Sequence, residues 1–550
     1  MIAAALVALA SLSVSADWRD VANGSVIHEH GYCDQPYIVV APDGTWVCVF
    51  TTNPGHEGQQ RQYVASSRST DQGQTWSEPV PIEPPDGPEA SWAMPLMTYF
   101  GRVYAFYDFN GDEVRTLPNG KACRADMLGW YCYRYSDDLG ATWSERRRLP
   151  VRVTACDRGN DWGGEVQILW GIGKPVKWNG TAWFGFTKLG RYMLEEGEGW
   201  FFRSDNILTE RDPDQLRWTM LPEGDHGLRA PAFGSTQEEH NLVPLSDGGL
   251  YCVYRTTTGH IIESYSHDGG RTWSTPEIAR YADGRPIKHP RACPRLWRAA
   301  NGKFLLWQHN HGGTDFADRN PAWVSGGIER DGRIVWSAPE ILLYSHDHSY
   351  ETGRLSYPDL VEQDGRYWVS VTQKTRATVQ EVDGALFEGM WHSLEGEARV
   401  PNDGVELSAG EAAAYSSLDQ GGFTLVLELE LPSLTPAQAL FEGGGVRVAT
   451  TEGGTVGITL SDDEHTATWD TDPGAVMSGG RHTIAFVVDG GPNVILPVVD
   501  GVPCDGGETR QYGWGRFPQE LAVLPGGTAS GAATYYPRAL TMAEVIALTR

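Results

Sequence analysis

Ser69-Thr70-Asp71-Gln72-Gly73-Gln74-Thr75-Trp76 returns as Ser136-Asp137-Asp138-Leu139-Gly140-Ala141-Thr142-Trp143 and again as Ser266-His267-Asp268-Gly269-Gly270-Arg271-Thr272-Trp273. The fixed positions, Ser-x-Asp-x-Gly-x-Thr-Trp, suit a hairpin turn. Ser and Asp side chains bond nearby backbone N–H groups, Gly accepts a positive φ, and Trp is large enough to wedge between neighbouring sheets. A turn repeated in full three times is an architectural period and predicts a repeat fold.

A second repeat runs beside it. A turn leads into an apolar strand, as in Asp43-Gly44-Thr45-Trp46-Val47-Cys48-Val49-Phe50-Thr51. Related runs follow at 101–107, 179–187, 247–255, 301–308 and 364–371, and their alternation and β-branched or aromatic content read as strands. Upstream of each lies a shorter strand, often opened by Pro: 36–40, 95–98, 165–169, 241–245, 294–297 and 358–361. Six pairs predict an all-β chain with a six-bladed β-propeller, the upstream strand of each pair lining the central channel. Ser204-Asp205-Asn206 stands where a decayed copy of the turn belongs.

The octapeptide is the Asp-box, and with the longer repeat it resembles the BNR-repeat propellers of the sialidase (neuraminidase) superfamily. The box is structural, so it identifies a scaffold and not a reaction. The repeat stops near Trp391, and a new β pattern occupies 423–430, 446–450, 456–460, 482–488 and 494–499, followed by a short helix at 542–548. That region resembles a laminin-G or concanavalin-like jelly roll. The expected division is a signal at 1–16, a propeller over 17–392, a linker over 393–408 and a β-sandwich over 409–550. The sandwich is expected either to bind carbohydrate or to serve as structure alone, and its acidic turns leave calcium open.

Charge narrows the partners. With 44 Lys and Arg against 71 Asp and Glu, the formal charge of −27 excludes nucleic acid or an anionic membrane as a bulk partner. Met1 to Ala16 (MIAAALVALASLSVSA) has the apolar run and small residues of a secretory signal, although no Lys or Arg precedes it. The stretch is too short for a membrane span, so a secreted or periplasmic protein is expected. Eight cysteines are compatible with disulfides there, but Cys48, Cys132 and Cys252 fall inside strands, where free thiols serve as small core residues. No Cys-x-x-Cys or His-x-x-x-His spacing is present, so no structural zinc site, and no cofactor or metal, is expected.

Chemistry in a propeller belongs where loops and channel strands converge at one end of the axis. The funnel positions bring Asp34, Gln35, Trp92, Glu239, His240, Arg255, Arg295, His309, Arg319 and Tyr357 toward one point. The superfamily resemblance gives some of them roles. Glu239, followed by a strand ending in Arg255 and then an Asp-box, resembles the segment with the catalytic glutamate and a carboxylate-binding arginine. Ser356-Tyr357-Pro358-Asp359-Leu360 resembles the segment with the nucleophilic tyrosine, and Arg319-Asn320 the segment with another binding arginine. The logic is sound, since a phenol is a poor nucleophile until a neighbouring carboxylate takes its proton.

Two departures stand against a plain sialidase. The superfamily's first binding arginine is replaced in Cys33-Asp34-Gln35-Pro36, where Asp34 occupies a cation's place. The acid/base aspartate is absent from Asn53-Pro54-Gly55-His56-Glu57-Gly58, which leaves His56, or Glu57, for that role. The reading is an exo-acting retaining glycoside hydrolase for a terminal anionic sugar, with Tyr357, Glu239 and His56 catalytic and Arg255, Arg319 and Arg295 binding the anion. Asp34, Gln35, Trp92, His240 and His309 complete the expected substrate contacts. Two other classes fit the same residues: a polysaccharide lyase cleaving uronate glycans by β-elimination, and a non-catalytic glycan-binding protein.

Overall fold

The structure, a computed structural model, describes residues 16–407, 415–418, 421–507, 513–514, 517, 520–522 and 531–550. The expected signal lies outside the described residues, apart from Ala16. Six antiparallel sheets of four or five strands follow one another along the chain, and each begins with a channel strand paired to a long second strand. The pairs are Tyr32–Val40 with Trp46–Asn53, Ala90–Met97 with Val103–Phe109, and Leu169–Trp170 with Thr181–Arg191. Glu238–Pro244 with Leu250–Arg255, Arg295–Arg298 with Phe304–Gln308, and Ser356–Gln363 with Arg366–Thr372 complete the six. The sixth sheet takes its outermost strand, Ser25–His28, from the start of the chain, where it pairs with Ala377–Val382. That pairing closes the ring.

The three octapeptides link the third and fourth strands of the first, second and fourth blades, and their side chains bond alike. Ser69 Oγ donates to Asp71 Oδ1 at 2.8 Å, Gly73 N donates to Ser69 Oγ at 2.8 Å, and Thr75 N donates to Asp71 Oδ1 at 2.9 Å. Ser136, Asp138, Gly140 and Thr142 repeat the pattern, as do Ser266, Asp268, Gly270 and Thr272. The glycines sit at φ +83°, +83° and +87°, where a Cβ is strained. Two of the tryptophans reach the preceding blade: Trp143 Nε1 donates to Ser66 Oγ at 3.1 Å, and Trp273 stacks on Phe201 at 4.6 Å. Between blades the core is apolar and strongly aromatic, with Phe106, Tyr131, Phe184, Phe202 and Trp200 buried together.

The prolines differ from expectation. Pro36, Pro95 and Pro358 lie inside their strands and not at the first position. Pro36 and Pro358 directly follow a bulged residue, where the ladder is already interrupted and the missing N–H costs nothing. That bulge recurs in four channel strands. The register skips two residues at Gln35-Pro36, Trp92-Ala93, Glu239-His240 and Tyr357-Pro358, and the first of each pair has φ of 53°, 62°, 57° and 46°. Thr51 and Thr187, on the second strand of the preceding blade, accept the amides of Trp92 and Glu239 at 2.8 and 2.9 Å.

A helix unforeseen in the sequence, Gly384–Glu395, follows the sixth blade and buries Phe387, Met390 and Trp391. Asp383 caps its N-terminus and Gly396, at φ +82°, ends it. The β-sandwich follows, built around a seven-stranded sheet whose long central pair is Gly422–Leu431 with Gly480–Asp489, and a four-stranded sheet of Ala439–Gly443, Val446–Thr450, Val456–Ser461 and Thr466–Asp470. Val405–Glu406, inside the expected linker, pairs with Ala533–Tyr536 of the large sheet. The sandwich rests on the propeller. Glu340, buried, accepts the first amides of the helix Met542–Thr549, Met542 N at 3.0 Å and Ala543 N at 3.1 Å. Arg19 pairs with Asp489 at 2.6 Å. All eight cysteines are free thiols, seven of them buried, so among the described residues no disulfide forms. No described helix is long and apolar enough to cross a membrane.

Candidate active site

The bulges aim side chains along the axis, because the extra residue twists the strand out of its pleat. Tyr357, Glu239 and Trp92, each the positive-φ residue of its bulge, line one cavity of about 230 Å³. Tyr357 Oη donates to Glu239 Oε1 at 3.0 Å, and Arg255 Nη1 lies 2.9 Å from the same oxygen. Glu239 Oε2 is shielded from solvent and has no hydrogen-bond partner among the described residues. Burial raises the proton affinity of Glu239 above the usual carboxylate range, with Arg255 opposing and Glu238 adding to the rise. Burial also pushes the Tyr357 phenol well up, Glu239 adds to it, and Arg255 and Arg319 pull the other way. A carboxylate hungry for a proton therefore faces a phenol that holds one.

Glu238 keeps that geometry. It accepts Arg255 Nε at 2.8 Å through one oxygen and Arg291 Nη2 at 2.6 Å through the other. Arg319 is buried, donates to Ser356 Oγ at 3.0 Å and to the Arg291 carbonyl at 2.9 Å, and its Nε meets no acceptor. Arg354, Phe316 and Tyr350 continue this wall, with the Arg354 guanidinium 4.7 Å from the Tyr350 ring centroid.

The facing wall consists of paired charges. Lys374 Nζ reaches Asp34 Oδ2 at 2.5 Å and Glu57 Oε2 at 3.1 Å, and lies 4.6 Å from the Tyr357 ring centroid. Arg124 joins Glu57 at 3.0 Å to Asp126 at 2.7 Å. Burial pushes the Glu57 carboxyl up, but Lys374 and Arg124 outweigh it and hold the group well below its usual range. Asp34 itself lies beneath the wall, fully buried, and also accepts the Tyr32 hydroxyl at 2.6 Å. The expectation that Asp34 presents a bare negative charge to substrate is corrected here, since Lys374 covers it.

Several other expected contacts stand off the cavity lining. His56 is exposed, with Nδ1 3.1 Å from the Glu57 carbonyl. His240 is buried against Tyr254, ring centroids 4.5 Å apart, and burial lowers its pKa to about 3. Its ring packs against Phe201 of the third blade as well, at 6.4 Å, and so sits between blades and not in the cavity. His309 stacks on His289 at 5.6 Å inside the fifth blade, and burial keeps it neutral. Arg295 is a brace below the cavity, donating to Asn241 Oδ1 at 2.6 Å, the Ile172 carbonyl at 3.0 Å and the Pro358 carbonyl at 3.2 Å. Gln35 is buried, with neither amide atom bonded among the described residues.

Three charged cavity residues escaped the expected set, Lys374, Arg124 and Arg354, while Glu57, the alternative acid/base, lines the cavity. Lys374 and Glu57 carry a sequence signal, since both stand at funnel positions. Arg354 carries one as well, three residues before Tyr357. Arg124 sits in a loop with no periodicity to mark it. Metal-ligand clustering among the described residues occurs only away from this site, at His392, Glu395 and Glu397.

The family model for BNR repeat-like domains matches residues 95–369, half of the chain. Among solved structures, the Hadza microbial sialidase Hz136 is similar at 18% identity over 64% of this chain and 66% of its own, TM-score 0.45. A Dyadobacter fermentans protein of unknown function is similar at 19% identity over 65% of this chain and 98% of its own, TM-score 0.46. The Trypanosoma rangeli sialidase, solved with 2,3-difluorosialic acid, is similar at 12% identity over 95% of this chain and 94% of its own, TM-score 0.44. No curated protein sequence matches. Identities this low leave the chemistry to the side chains themselves.

Proposed function

Because the chain belongs to the family of BNR repeat-like domains, and because its axial cavity holds a phenol against a carboxylate, we propose that it is a retaining glycoside hydrolase acting on a terminal anionic sugar. The observation that carries this reading is the 3.0 Å contact between Tyr357 Oη and Glu239 Oε1 on the wall of that cavity. In the first step the Tyr357 oxygen bonds to the anomeric carbon, its proton passes to Glu239, and the bond to the leaving oxygen breaks as that oxygen takes a proton from solvent water. In the second, water adds to that carbon and gives a proton to Glu57, which passes it on to solvent, while the tyrosyl bond breaks and Glu239 returns its proton to the phenolate. The sum is one water added across one glycosidic bond.

His56 is withdrawn as the acid/base because it stands off the cavity. Glu57 takes the place on the wall, but its pairs with Lys374 and Arg124 keep it ionised. It suits deprotonation of the incoming water better than protonation of the leaving group. The elimination reading loses support, since no imidazole is among the residues lining the cavity. Export and carbohydrate binding by the sandwich remain part of the proposal and rest on the sequence.

The test is a panel of sialosides, uronate polymers and sulfated glycans with product masses measured. A released sugar carrying one added water is expected. Tyr357→Phe should keep the fold and lower turnover at least ~10²-fold, the scale of losing a positioned catalytic group. Wild-type turnover in that variant, or an unsaturated product from the native chain, overturns the mechanism.

A further inference from the structure

We propose that Arg354 seats the anionic group of the substrate together with Arg319, replacing the cation that the chain gives up at Asp34. The inference rests on the hydrolase reading and deepens it, by saying where on the cavity wall the negative charge binds.

The cavity is electrically lopsided. On the wall formed by the fourth, fifth and sixth blades stand the guanidinium groups of Arg255, Arg319 and Arg354. Arg255 is committed to Glu238 and Glu239. Arg319 bonds only neutral acceptors, Ser356 Oγ and a carbonyl, and Arg354 has neither an ion pair nor a hydrogen bond among the described residues. The Nε atoms of both are shielded from solvent and lack an acceptor. Two guanidinium groups without counter-ions, next to a third, repel one another unless an anion comes between them. That repulsion, with burial as the larger part, lowers the proton affinity of Arg319.

On the facing wall the balance reverses. Lys374 and Arg124 are held by Asp34, Glu57 and Asp126, which leaves no positive charge to spare. A carboxylate or sulfate placed there would face Glu57, and a hydroxyl-bearing edge of a sugar fits better. The expected substrate is therefore a sugar with a single carboxylate or sulfate, bound with that group at Arg319 and Arg354 and its neutral edge toward Glu57. Arg354 is held for this role by the Tyr350 ring beneath it.

Inorganic sulfate is a suitable probe, because its binding is independent of turnover. It is titrated at constant ionic strength, with the fluorescence of Trp92 and Trp170 on the cavity wall as the signal. Arg354→Ala is expected to weaken sulfate at least ~10-fold, and Arg354→Lys to weaken it less. The double variant Asp34→Asn/Lys374→Met, which removes a pair without stranding a charge, should bind sulfate within about twofold of native. Unchanged binding in Arg354→Ala, no binding by the native chain, or an equal loss in the double variant overturns the proposal. If sulfate binds as expected but no glycan is cleaved, the hydrolase reading fails and the anion seat stands.

Discussion

Asp34→Ala is the most demanding perturbation of this site that needs no substrate. It removes the closest partner of Lys374, whose ammonium lies 2.5 Å from the Asp34 carboxylate with both side chains nearly enclosed. At that distance the attraction is about 7 kcal/mol for an effective dielectric of about 20, most of it offset by desolvation of the two charges. Stranding one member of such a pair costs roughly 3–5 kcal/mol. Glu57 remains at 3.1 Å from the lysine, so the lower end, about 3 kcal/mol, is expected. In a domain of this size that lowers the propeller's melting temperature by on the order of 5 °C. Differential scanning calorimetry reads it, with the propeller transition resolved from that of the sandwich. The double variant Asp34→Asn/Lys374→Met should recover most of the loss, because removing both charges is close to neutral. A fall below ~1 kcal/mol in Asp34→Ala, or a double variant as unstable as the single, would refute the view of Lys374 as a charge neutralised by its neighbours.

Two pH dependences follow from the buried carboxyl groups. Burial holds Glu239 above the usual glutamate range, and the proposed base must be ionised, so kcat/KM should fall on the acid side at a pH above the ordinary glutamate value; a limb at or below that value would contradict the assignment. Burial pushes Glu340 from 4.5 to about 7, with Glu544 adding and Arg19 opposing. A carboxyl raised on folding stabilises fully below pH ~4.5, and that contribution is lost as pH rises through about 7. The loss is roughly 3 kcal/mol across that window. Calorimetry from pH 5 to 8 should show the native chain losing stability with rising pH more steeply than Glu340→Gln, and parallel slopes would count against it.

How much of this was legible depends on how far each signal reaches along the chain. The Asp71, Asp138 and Asp268 turns are local, closed by residues within four positions, and they announced the propeller. Tyr357 and Glu239 were legible for a similar reason, each lying in a short recognisable segment. The charge pairs were not. Lys374 meets Asp34 across 340 positions, and only the closed ring brings them together. His240 and His309 misled because residue type suggested chemistry while ring stacking, on Tyr254 and on His289, holds both inside the blades. The helix Gly384–Glu395 went unread because its apolar residues continue the run that ends at Trp391.

The four bulged channel strands have a wider consequence. Each interrupts its ladder in the same way, yet they carry Gln35, Trp92, Glu239 and Tyr357, an amide, an indole, a carboxylate and a phenol. Positive φ is uncommon for any residue but glycine, yet the same bulge holds all four there. The propeller thus presents interchangeable sockets around one axis. A relative could exchange the occupant of one socket, and with it the chemistry, without disturbing a single blade.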